Sequence, residues 1–85
     1  MSYLKVGGMY RVPWTILVYF TSGHERLERG KLVVVLSQVS HEYMEQGIRV
    51  RVLCPSGDIG HVTLPCSGLS YWKEASLSDA PQTSP

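Results

Sequence analysis

Three histidines and two cysteines are the residues best equipped for chemistry in this 85-residue chain. A zinc site built from His24, His41, His61, Cys54 and Cys66 would need ligands clustered at short spacing, as in Cys-x-x-Cys, and no such pair occurs. Cys54, Cys66 and His61 would meet only across a hairpin. The simpler reading makes the thiols small hydrophobes and His61 a surface imidazole. A Cys–His nucleophile would draw on the same residues, but no third orienting group or oxyanion donor accompanies them. Glu25, Glu28, Glu42, Glu45, Asp58 and Glu74 all fall in expected loops or strand ends, which reads as solvated charge. Gly7-Gly8 opens a strand and is not a nucleotide loop. The expectation is a protein with no catalytic residue, no metal site and no cofactor.

Binding chemistry is better represented. Trp14, Tyr19, Tyr71 and Trp72 are amphipathic rings of the kind favoured at interfaces, and they form the expected partner-binding patch. The competing reading has Trp72 and Phe20 capping a thin core. The expected partner is another protein or a second copy of the chain, engaged partly through the apolar "TILVYF" segment. The alternative is single-stranded nucleic acid or RNA. Arg49 and Arg51 would contact phosphates, Lys31, Arg26 and Arg29 would lie near by, and Tyr3, Tyr10, Trp14 and Tyr19 would supply stacking faces. A formal net charge of +1 argues against that alternative, because an electrostatic footprint usually shows as a basic excess. The same balance gives no reason to expect a membrane partner.

The elements that must position these residues read as strands. "GGMYRV" carries Met9, Tyr10 and Val12, and "TILVYF" (15–20) is β-branched and aromatic before the loop signal "TSGHE". In "GKLVVVLSQV" (30–39), Leu32, Val34 and Leu36 share one face and Val33 and Val35 the other, so both sides are covered for part of its length. "SHEYMEQG" (40–47) is either a helical turn capped by Ser40 and closed by Gly47, or an irregular hairpin loop. In "IRVRVLCPSGDIGHVTLP" (48–65), Ile48, Val50, Val52 and Cys54 alternate with Arg49, Arg51 and Leu53. Pro55-Ser56-Gly57-Asp58 then supplies turn chemistry. The returning strand places Gly60, Val62 and Leu64 opposite Ile59, His61 and Thr63, and Pro65 ends it. "CSGLSYWKE" reads as a short helical turn and a last strand. Short strands without a long amphipathic helix predict a small all-β barrel.

The length allows one domain, and "ASLSDAPQTSP" (75–85) has no periodicity that would order it, so it is expected as a flexible tail. No apolar run is long enough to span a bilayer, and "MSYLKVGG" lacks the regions of a signal peptide. A cytoplasmic location follows as the expectation. Both cysteines then read as free thiols, a Cys54–Cys66 bridge being the alternative if their strands are adjacent.

Residues 8 to 72 resemble an SH3-like barrel. "ERLERGKLVVVL" is similar to the run in which a diverging turn leads into a hydrophobic strand. "IRVRVLCPSGDIGHV" resembles the hairpin that follows, with the pattern Gly57-x-x-Gly60-x-Val62, and "PCSGLSYW" the short 3₁₀ turn and final strand. The resemblance implies a five-stranded barrel over residues 1–74. It also implies a free-standing binding module of bacterial or phage type, located within a virion if phage-derived. Three departures separate the chain from proline-peptide binders. Ile48 stands where those domains carry a groove-lining tryptophan, Glu25 and Glu28 alternate with Arg26 and Arg29 in the early loop, and the Pro-x-Asn-Tyr pattern is missing. Proline-peptide recognition is not carried over.

Overall fold

Alternating inward and outward side chains produce strands along most of the chain. A computed structural model describes residues 4–40 and 47–75. It contains β1 (Met9–Arg11), β2 (Ile16–Phe20), β3 (Gly23–Leu27), β4 (Leu32–Ser40), β5 (Gly47–Leu53) and β6 (Ile59–Pro65), followed by a 3₁₀ turn (Cys66–Tyr71) and β7 (Lys73–Glu74). The strands form one antiparallel sheet in the order β3-β2-β6-β5-β4-β1-β7. Among the described residues, no helix is long and apolar enough to cross a membrane.

The all-β class stands, but the expected five-stranded closed barrel does not describe this sheet. There are seven strands, and the outermost, β3 and β7, pair only with β2 and β1. The strand the sequence reading lacked is Gly23–Leu27, in a segment expected as loop. Only Leu27 in it is a buried hydrophobe, so its alternation is nearly invisible, yet it pairs fully with β2 from Ile16↔Leu27 to Phe20↔Gly23. The expected helical turn at 40–47 lies partly outside the described residues. Its ends, Ser40 and Gly47, are both strand residues, and Gly47 pairs with Pro65. Ala75 donates its amide to the Met9 carbonyl at 2.7 Å, extending the β1–β7 edge to the first residue of the expected tail. Residues 76–85 lie outside the described residues.

The inward residues of every strand from β1 to β6 meet in one cluster, together with Leu4, Leu69 and Trp72. Among the described residues no α-helix covers that face, and the 3₁₀ turn adds Leu69 to it. Val18, Val35, Ile48, Val50 and Val52 are completely shielded. Burying side chains of this kind contributes roughly 1.5–3 kcal/mol each.

One irregularity sets which residues face out. Val35 pairs with Val52, but Ser37, not Leu36, pairs with Arg51. Leu36 is the extra residue of a β-bulge, and it inverts the in–out parity of β4 beyond it. Strict alternation from Val35 would send Ser37 and Val39 inward. Instead both are exposed, and Gln38 turns to the half-buried side. There its side-chain amide pairs with the Leu4 backbone in both directions. The Leu4 N–H donates to Gln38 Oε1 at 3.0 Å, and Gln38 Nε2 donates to the Leu4 carbonyl. The N-terminal segment is thereby fastened to the far half of β4.

The two glycines of the Gly57-x-x-Gly60 pattern serve different needs. Gly57 has φ +94° in the turn between β5 and β6, with open space where a Cβ would lie. Gly60 is buried, and a Cβ there would sit 2.6 Å from Val18 Cγ1 and 2.7 Å from the Phe20 ring. Gly60→Ala should therefore lower stability by roughly 1–3 kcal/mol through overpacking. Gly57→Ala should lose about 1 kcal/mol through its backbone conformation. Urea denaturation midpoints compare the two; a Gly60→Ala protein as stable as the wild type would contradict the β2–β6 packing.

Candidate binding surface

The aromatic residues divide between core and surface. Trp14, Tyr19 and Tyr71 are exposed, whereas Trp72 is buried. Trp72 is therefore a correction to the expected patch. It and Tyr71 are consecutive at the end of the 3₁₀ turn and point to opposite sides, so one of the pair must enter the core. Trp72 enters at 5% exposure, and Tyr71 stays out at 64%. Tyr10, expected as a stacking face, is also in the core, where its hydroxyl accepts the Lys5 N–H at 2.7 Å. Tyr3 and His41 lie outside the described residues. Ile48, at the position that would be tryptophan in a proline-peptide groove, is wholly buried.

The Trp14 indole meets the Tyr71 ring edge-on at a centroid distance of 5.9 Å. It also lies over the 3₁₀ turn at Gly68, where a Cβ would come 2.9 Å from it. Around this pair Arg11, Arg29 and Lys73 line a depression of about 330 Å³. Arg11 and Lys73 face one another across β1 and β7, and Arg11 Nη1 donates to the Gly30 carbonyl at 3.3 Å. Neither Arg11 nor Lys73 belongs to the expected site. Their convergence becomes visible only once β7 is known to return beside β1.

Tyr19 belongs to a different part of the surface. Residues paired across strands share a face, so register gives the layout. Tyr19 is opposite His24 on β3 and His61 on β6; His61 is opposite Arg51 on β5, and Arg51 is opposite Ser37 on β4. The Tyr19 ring lies between the two imidazoles, with centroids 5.8 Å from His24 and 6.1 Å from His61. A parallel row holds Arg26 opposite Leu17, and Thr63 opposite Arg49, which faces Val39. Tyr19, Arg49, Arg51, His61, Ile59 and Val39 border a second depression of about 380 Å³.

A third depression, of about 410 Å³, runs along β2 and β6 and joins the other two. It shares Trp14 with the first and Tyr19 with the second. The result is a continuous track from Tyr71 through Trp14 and Leu17 to Tyr19 and Ile59. Five of the chain's eight Lys and Arg residues line it: Arg11, Arg29 and Lys73 at one end, Arg49 and Arg51 at the other. Among the described residues, no carboxylate lines these three depressions, but Asp58 lines a further one that adjoins the second at Phe20, Thr21 and Ile59. Glu74 is turned toward Lys5, whose ammonium is 3.8 Å away, and Glu25 is half-buried on the inner side of β3. Of the other expected cations, Arg26 shares the outer face, whereas Lys31 lies beyond the track.

Both described thiols are free, Cys54 buried and Cys66 partly covered against the core. Burial pushes the Cys54 thiol up to about 11, helped by the negative charges of Glu25 and Asp58 and by its hydrogen bond to Glu25. A thiol held protonated in this way is a poor nucleophile at neutral pH. No group of three or more His, Cys, Asp or Glu residues is placed to hold a metal ion among the described residues. No family model matches the chain, and neither does any curated protein or solved structure.

The Cys54 environment makes stability depend on pH at the alkaline end. A folded value raised from 9.0 to about 11 means that the unfolded chain loses its proton first as pH rises. The stabilisation is thus complete below about pH 9 and is lost up to about pH 11, by at most about 3 kcal/mol. The stability difference between wild type and Cys54→Ala, measured by urea denaturation, should shrink over that window. A difference constant from pH 8 to 11 would contradict the assignment.

Proposed function

We propose that this chain is a non-catalytic binding module of SH3-like architecture that engages a macromolecule along the Trp14–Tyr19 track. The observation carrying this reading is the track itself. Three open depressions share aromatic residues, so an extended ligand can lie across all of them, and none of the three is the enclosed cleft a small substrate needs. Trp14 and Tyr71 offer large contact area at little rotamer cost, which favours them as anchors.

The SH3-like reading draws support from element order. An early hairpin (β2–β3) is followed by a long hydrophobic strand (β4), a tight-turned hairpin (β5–β6), a 3₁₀ turn and a last strand returning to β1. Without the β2–β3 hairpin, five strands remain in the order β6-β5-β4-β1-β7. The exposed Leu17, Val39 and Ile59, whose apolar surfaces lie beside the same track, are compatible with a protein partner or a second copy. A bacterial or phage assembly role accords with a small binding module, as an analogy at the level of fold.

Immobilised wild-type protein should retain a macromolecule from a lysate, and Trp14→Ala/Tyr71→Ala should lose it while keeping the wild-type urea midpoint. Light scattering on the free protein separates self-association from capture of a different molecule. A strictly monomeric protein that retains nothing, or a double variant that retains as much as the wild type, would overturn the reading.

A further inference from the structure

We infer that the ligand of this track is single-stranded nucleic acid, with its phosphates held by the flanking cations and its bases stacked on the exposed rings. The inference rests on the binding-module reading and names its partner. The net charge of +1 is unevenly spread over the described residues: five cations line the three depressions and no carboxylate does, Asp58 standing in an adjoining one at the Ile59 end. Local charge, not the total, governs attraction for a polyanion.

Arg49 and Arg51 are two residues apart on one face of β5, so their side chains emerge about 6.6 Å from one another. Neither has an ion-pair or hydrogen-bond partner among the described residues. The residues opposite them, Val39, Thr63, Ser37 and His61, carry no negative charge. These guanidinium groups are exposed and uncommitted, which suits phosphate contacts. At the other end Arg29 and Lys73 offer the same chemistry beside Trp14.

The rings decide between polyanions. An acidic peptide would satisfy the cations but make no particular use of the exposed ring surface of Tyr19, Trp14 and Tyr71. A duplex presents phosphates but keeps its base faces stacked inside. A single strand uses both, since stacking on protein rings contributes about 1–3 kcal/mol per base. Trp14 and Tyr19 are five residues apart, about 17 Å along an extended chain, so one nucleotide cannot reach both. The ligand must be an oligomer.

Fluorescence anisotropy with labelled oligothymidylate and oligouridylate of about 20 nucleotides, a length above the usual small-barrel site size, tests the inference. With about four phosphates engaged, affinity should fall about 50-fold between about 50 and about 200 mM salt. Arg49→Ala/Arg51→Ala should weaken binding and roughly halve the logarithmic salt slope. Tyr19→Ala should weaken binding about tenfold or more while leaving that slope unchanged. Lys31→Ala, off the track, serves as the control and should bind as the wild type does. All the altered side chains are exposed, and unchanged urea midpoints verify that each variant folds. No binding of either strand at about 50 mM salt would overturn the inference, as would a duplex binding equally well. If the oligonucleotides fail while a protein is captured through Trp14 and Tyr71, the nucleic-acid assignment falls and the binding module stands. If nothing binds in either experiment, both fall.

Discussion

The bulge at Leu36 is the constraint on which the working surface depends. A strand has a side-chain period of two, so one inserted residue exchanges inside for outside over everything beyond it. Before the bulge, β4 sends Val33 and Val35 into the core; after it, Gln38 turns inward and Ser37 and Val39 turn out. That exchange places two uncharged residues beside Arg49 and Arg51 and gives the outer face of β5 a neighbour that neither pairs with nor repels its cations. It also delivers a side-chain amide to the one place where it can complete the Leu4 backbone. A buried polar group without partners would be costly, and Gln38 is tolerated on the inner side because it is bonded at both of its atoms.

The core and the surface are linked through β2. Val18 and Phe20 press on Gly60 from the inner face, while Leu17 and Tyr19 emerge on the outer one. Since successive residues of a strand alternate, the packing that seats Val18 also aims Tyr19 at His61. The absence of a Cβ at position 60 is therefore what lets β2 lie close on β6 and brings Tyr19 to the same surface as Arg51. The 3₁₀ turn acts similarly at the other end. Gly68 leaves room for the Trp14 indole, and the turn's last residue, Tyr71, stays on the surface while the next, Trp72, enters the core.

How legible this was in the sequence depended on contrast between neighbouring residues. The β5–β6 hairpin was plain because arginines alternate with valines, and Pro-Ser-Gly-Asp sits between two strands; the observed burial follows that alternation. β3 was hidden because Gly-His-Glu-Arg-Leu carries a single apolar inward residue, and its stability comes from pairing with β2. β7 follows the 3₁₀ turn in the segment read as a short helical turn and a last strand, but nothing in its two residues named β1 as its neighbour. The track was half visible: Trp14, Tyr19, Tyr71 and the two arginines of β5 stood out by type. Arg11 and Lys73 did not, because their meeting depends on the return of the last strand to the first. Tyr10 and Trp72 were misplaced because residue type alone does not say which side of a strand or turn a ring occupies.

The parity of β4 can be measured directly by solvent paramagnetic relaxation of the valine methyl groups. With the bulge at Leu36, the methyls of Val39, at 60% exposure, should be strongly broadened by a soluble relaxation agent, and those of Val35 and Val50, at 0%, should be untouched. The Gln38 side-chain amide should show a nuclear Overhauser effect to the Leu4 N–H. Protected Val39 methyls together with a freely solvated Gln38 amide would mean regular alternation, and the uncharged flank of Arg49 and Arg51 would not exist.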